Sequence, residues 1–135
     1  MKKLILMVLV LLSSCFKDLD QSIPTPLILC FPSGKTWEVE ELMIGGINKT
    51  GLISTTRIWF YNPIGSDPNA GPVLAGSVYG TWKVETGNSN EYLLIFFDRS
   101  TRISIINGKW EIISKWSNRF QMRDNFGNFL IIRID

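Results

Sequence analysis

Val78-Tyr79-Gly80-Thr81-Trp82-Lys83-Val84-Glu85 is the stretch on which the fold turns. Val78, Gly80, Trp82 and Val84 fall on one side of an extended chain, and Tyr79, Thr81, Lys83 and Glu85 on the other. A period of two is that of a β-strand with one face buried. The same pattern continues in both directions. The eight candidate strands are 37–44, 56–61, 78–85, 91–98, 102–106, 109–115, 119–123 and 129–134. In the first, Trp37 and Val39 oppose Glu38 and Glu40, and Glu41 then breaks the alternation, which predicts a bulge or bend. In the second, Ile58 and Phe60 oppose Arg57, Trp59 and Tyr61; in the seventh, Phe120 and Met122 oppose Arg119, Gln121 and Arg123. Residues 91–98 are almost all apolar, so alternation does not choose their inner face. No stretch of ten or more residues carries apolar positions at helical spacing.

The connections fit a meander. Residues 86–90 and 124–128 are rich in Gly, Asn and Ser or Asp, and Asn107-Gly108 is the dipeptide preferred in a two-residue type I′ hairpin. One connection, 62–76, is long and contains Pro63, Pro68 and Pro72, which reads as either a lid over a binding site or a disordered loop. Strands with one apolar and one charged face must hide the apolar one. A barrel does so and removes exposed edges; a two-layer sandwich also hides it. Short sequential connections favour the barrel, as does a local pattern that occurs three times: Gly34-Lys35-Thr36-Trp37, Gly80-Thr81-Trp82 and Gly108-Lys109-Trp110. A glycine near a bulky indole suits a tightly coiled strand whose space the indole fills. The expectation is an all-β, eight-stranded antiparallel up-and-down barrel.

Gly80-Thr81-Trp82, Leu93-Leu94-Ile95 and Gly108-Lys109-Trp110-Glu111-Ile112 together resemble the lipocalin-like domain of small bacterial lipoproteins, over residues 34–135. That resemblance implies a barrel with an apolar cavity and does not name a ligand. At the first strand the motif is stretched to Gly34-Lys35-Thr36-Trp37, a departure from the true lipocalins.

The N-terminus suits the same setting. Lys2 and Lys3 precede nine apolar residues, 4–12, and Leu12-Ser13-Ser14-Cys15 follows. Nine helical residues at about 1.5 Å each cover about half of a ~30 Å hydrocarbon core, so the segment reads as a signal peptide, not a membrane span. Its end resembles the lipobox of bacterial lipoproteins. The resemblance implies cleavage before Cys15, diacylglycerol on the Cys15 thiol and a fatty acyl group such as palmitate on its amine. The chain then divides into a signal peptide (1–14), a lipidated tether (15–33) and the barrel (34–135). Phe16 is not the aspartate that retains enteric lipoproteins at the inner membrane, so the outer membrane is expected by analogy. Lys17-Asp18-Leu19-Asp20 loosely resembles the surface-export signals of some Gram-negative lineages, and equally a solvated linker. Cys30, in apolar surroundings, reads as free and unreactive.

Composition narrows the chemistry. The chain has 135 residues, 14 Lys and Arg, 12 Asp and Glu, and no His. Lys2 and Lys3 lie in the leader, so the rest is balanced at twelve of each, without the basic excess of a nucleic-acid binder. Without His there is no Ser-His-Asp triad, Cys-His pair or His metal ligand. No phosphate loop or dinucleotide fingerprint occurs, and no cofactor or metal site is expected. Glu38 and Glu40 are spaced for one strand face, about 6.8 Å apart at about 3.4 Å per residue, but on the outer face. The reading is a non-enzymatic, membrane-anchored lipoprotein whose barrel mouth takes a small apolar or amphipathic ligand. The alternative is an envelope accessory or inhibitor acting through protein contact. Trp59, Tyr61, Trp82 and Trp110 are the candidate ligand-binding residues, and Cys15 is the lipid anchor.

Overall fold

A computed structural model describes residues 23–31, 34–62 and 67–134. It contains β1 (Trp37–Ile44), β2 (Ile47–Asn48), β3 (Ile58–Phe60), β4 (Ala70–Ala75), β5 (Val78–Thr86), β6 (Glu91–Phe97), β7 (Gly108–Trp116), β8 (Arg119–Arg123) and β9 (Phe129–Ile134). From β3 to β9 each strand pairs antiparallel with the next. β9 returns to β1, from Trp37 opposite Ile134 to Met43 opposite Phe129, and Trp37 opposite Ile58 joins β1 to β3. The result is a closed, eight-stranded antiparallel barrel, with β2 as an extra strand folded back on the end of β1. The expected irregularity in β1 is a bulge at Glu40, where the register with β9 shifts between Val39 and Glu41. It lets Trp37, Val39 and Leu42 all point inward. In β6 it is Leu93, Ile95 and Phe97 that face the core.

The strand count is as expected, but two assignments change. Residues 102–106 form a 3-10 helix, Arg102–Ile106, not a strand. Asp98 starts it: its carboxylate accepts from the Ser100 amide and hydroxyl, and its carbonyl from the Thr101 hydroxyl. Ile103 and Ile106, three apart, then share the buried side, as a three-residue turn requires. Nor do Asn107 and Gly108 make a type I′ turn. The Asn107 amide side chain bonds both the N–H and the C=O of Phe97, at 2.7 and 2.9 Å, standing in for a ladder residue.

The missing strand is β4, inside the expected long loop. Pro72 hid it, because proline lacks the N–H a ladder needs. In an antiparallel pair Pro72 and Tyr61 would exchange two bonds. Tyr61 N–H does donate to the Pro72 carbonyl at 3.0 Å. The return bond cannot form, and the Tyr61 carbonyl instead accepts from the indole N–H of Trp82 at 2.8 Å.

Within the segment read as a tether, Thr25–Cys30 forms a short helix, α1, with proline in its first turn where no N–H is missed. Ile28, Leu29 and Cys30 enter the core. Burial pushes the Cys30 thiol from its ordinary 9.0 up to about 11, against the pull of the nearby Lys35 ammonium. At pH 8 the folded thiolate fraction is therefore about 100-fold below that of the unfolded chain. Alkylation by iodoacetamide should slow by about that factor on folding. Because the folded pKa lies above the unfolded one, this contribution to stability is whole below pH 9.0 and is lost between 9.0 and about 11. Lys35, held below its ordinary 10.5 by desolvation, works in the opposite sense over the alkaline range.

Candidate functional site

Large side chains pack the barrel core. Trp37, Trp82, Trp110, Phe120, Leu42, Leu93 and Met122 are at most 1 % exposed. Trp37 packs on Phe120 with ring centres 5.4 Å apart, and Trp82 meets Phe60 edge-on at 6.2 Å. Each of the three motif tryptophans donates its indole N–H to a backbone carbonyl. Trp37 bonds the Leu29 carbonyl of α1 at 3.0 Å, and Trp110 bonds the Ile106 carbonyl at the end of the 3-10 helix at 2.8 Å. Trp82 bonds Tyr61, where the chain leaves β3. Strand directions put α1 at one end of the barrel and the Arg102–Ile106 helix at the other, and each sends buried side chains into the core as a plug.

The candidate residues therefore separate. Trp82 and Trp110 are wholly buried with their polar atoms satisfied. Trp59 and Tyr61 face outward as the alternation predicts; Trp59 is half-buried and Tyr61 is 40 % exposed. Cys15 lies outside the described residues.

A surface cleft of about 450 Å³ lies between the β5–β6 turn and the far half of β7. It arises from unequal strand length. β6 and β7 pair only from Tyr92 opposite Glu111 to Ile95 opposite Gly108, yet β7 runs on to Trp116. Beyond Glu111 the strands diverge. Residues 86–91 line one bank and residues 111–115 the other. On its far side β7 stays paired with β8 through a bulge between Ile112 and Ser114. Towards the cleft, Ile113, Ser114 and Lys115 have no strand partner on β6. Asn88, Ser89 and Asn90 face them across the gap.

Lys115 braces this cleft. Its ammonium bonds Glu91 Oε1 at 2.9 Å, the Ile23 carbonyl at 2.9 Å and the Thr25 hydroxyl at 3.4 Å. Thr25, fully buried, donates to Glu91 Oε2 at 2.8 Å. The N-terminal segment is thus held where β6 and β7 part. Residue spacing carries no sign of this, because it depends on where two strands stop pairing.

Chemically the cleft offers amide and hydroxyl side chains and a strand edge, the groups that receive an extended peptide by strand addition. Among the described residues no group of three or more His, Cys, Asp or Glu is placed to hold a metal ion, and no helix is long and apolar enough to cross a membrane. Compared with family models, with curated proteins and with solved structures, the chain shows no significant match.

Proposed function

We propose that the chain is a lipid-anchored, non-enzymatic protein of the bacterial outer membrane that works through its outer surface. The cleft beside β7 receives an extended segment of an envelope partner protein. The lipobox-like Leu12-Ser13-Ser14-Cys15 supports the anchor, and the barrel with its Gly-to-Trp motifs supports the likeness to lipocalin-like lipoprotein domains. The observation that favours surface over interior is the burial of the three motif indoles, each already hydrogen-bonded, in the barrel core. A carrier needs roughly 300 Å³ or more of lined space, and here three indoles bonded to the Leu29, Tyr61 and Ile106 carbonyls lie in the core. A cargo would have to displace Trp82 or Trp110 and break a buried hydrogen bond in doing so.

Native mass spectrometry of protein extracted from its own membrane, followed by organic extraction, tests this. The expected result is a barrel without small molecule and with a stoichiometric protein partner. A co-extracted apolar compound at one per chain would restore the carrier reading. Cys15→Ser should move the protein from the membrane to the soluble fraction; retention in the membrane would remove the anchor.

A further inference from the structure

The outer wall of the barrel is two-sided. On β3–β6 the outward rows are Trp59–Leu74–Tyr79 and Tyr61–Pro72–Thr81–Phe96, as the registers and the Tyr61–Pro72 bond set them side by side. Tyr79 is 69 % exposed and Phe96 49 %. The wall formed by β1, β8 and β9 is mostly charged, presenting Glu38, Glu40, Arg119, Gln121, Arg123 and Arg133 beside the exposed Phe129, with Arg119 bonded to Glu40 at 2.7 Å. Adjoining rows of outward aromatic side chains on one wall mark a contact surface.

We infer that the aromatic wall rests on the lipid–water interface of the membrane that holds the anchor, an inference that builds on the lipidation of Cys15 proposed above. Composition is one reason. Trp and Tyr carry an apolar body and a polar tip, the combination that settles at headgroup depth. The next outward row holds Lys83 and Lys109, which share the single carboxylate of Glu85 at 3.8 and 3.3 Å and leave a net positive edge for lipid phosphates. Lysine stems can lie along the apolar surface with their ammonium groups among those phosphates.

Reach is the other reason. The described chain begins at Ile23, held by Lys115 beside Glu91 at the head of β6. β6 is also the strand that carries Phe96. The five steps from Glu91 to Phe96 cover about 17 Å at about 3.4 Å each. The eight steps from Cys15 to Ile23 extend to at most about 27 Å. An anchor at Cys15 can therefore reach the bilayer on which this wall lies. The barrel would lie on its side, with the charged wall turned to water.

Brominated lipids test the inference. Acyl chains brominated near the headgroup, in phosphatidylethanolamine–phosphatidylglycerol vesicles, quench indoles close to the interface. The mature chain is used with its native anchor. If its mass shows Cys15 unmodified, the lipidation reading fails by itself, and the chain is then coupled at Cys15 to a maleimide phosphatidylethanolamine so that the wall is still tested. The wild type should be quenched beyond Trp59→Phe, and Tyr79→Ser/Phe96→Ser should lose that difference while keeping its thermal midpoint. Equal quenching of wild type and Trp59→Phe would overturn the inference. So would cross-linking through Tyr79→Cys to a second copy, because the wall would then be covered by protein.

Discussion

Trp110→Ala lowers the thermal midpoint by more than about 15 °C. Its indole is 1 % exposed and lies in the main core. Truncating a buried aromatic to alanine costs about 3–5 kcal/mol, because the cavity closes only in part. The Ile106 carbonyl also loses the indole N–H that it accepts at 2.8 Å, and an unpaired buried acceptor costs about 1–3 kcal/mol. For a domain of this size each kcal/mol moves the midpoint by about 4–8 °C. Trp110→Phe separates the two contributions, since it keeps most of the ring volume and removes only the donor. Differential scanning calorimetry of both variants checks the order. Trp116→Ala, at a site 39 % exposed, should shift the midpoint by far less. A Trp110→Ala midpoint near that of Trp116→Ala would mean that the plug at this end is not held by the indole.

That plug also shows where local pattern stopped being informative. Alternation alone placed Trp37, Trp82, Trp110, Phe120 and Met122 inside, since a strand with one wet face writes its geometry every second residue. The bulge in β1 was visible for the same reason, as a break at Glu41. β4 was not, because Pro72 reads as a strand breaker. Its place in the sheet depends on a carbonyl satisfied by Trp82 of β5, two strands along from β3. Residues 102–106 carry Ile103, Ile105 and Ile106, a short apolar run that suits a strand or a helix until the Asp98 turn is known. α1 has six residues, too few for a helical period to declare itself. The sequence pointed to Trp59 and Tyr61 as outward-facing, and so they are. The other half of the aromatic wall, Tyr79 and Phe96, joined them only through strand register. The cleft was invisible for a simpler reason: it exists because a seven-residue strand lies beside a nine-residue one.

Gly80→Ala is expected to cost about 1–3 kcal/mol, the overpacking range, although alanine differs from glycine by one methyl group. The backbone at this position is ordinary; what is missing is space. A Cβ there would collide with the Phe96 carbonyl and come within 2.6 Å of the Phe97 ring at Cδ1. The carbonyl belongs to the neighbouring strand, so it cannot turn aside without disturbing the β5–β6 ladder. The other two motif glycines serve a different purpose. Gly34 has φ +84° and Gly108 has φ +145°, where a side chain is strained even with room around it. One sequence pattern therefore holds two physical requirements: close approach at Gly80, and backbone conformation at Gly34 and Gly108. Gly51 supplies the control. It has no positive φ and open space around it, so Gly51→Ala should be neutral, or stabilise by up to about 1 kcal/mol through the unfolded chain. Urea unfolding of the two alanine variants decides the matter. If Gly80→Ala unfolds at the wild-type midpoint, β5 and β6 do not approach each other as closely as the barrel requires.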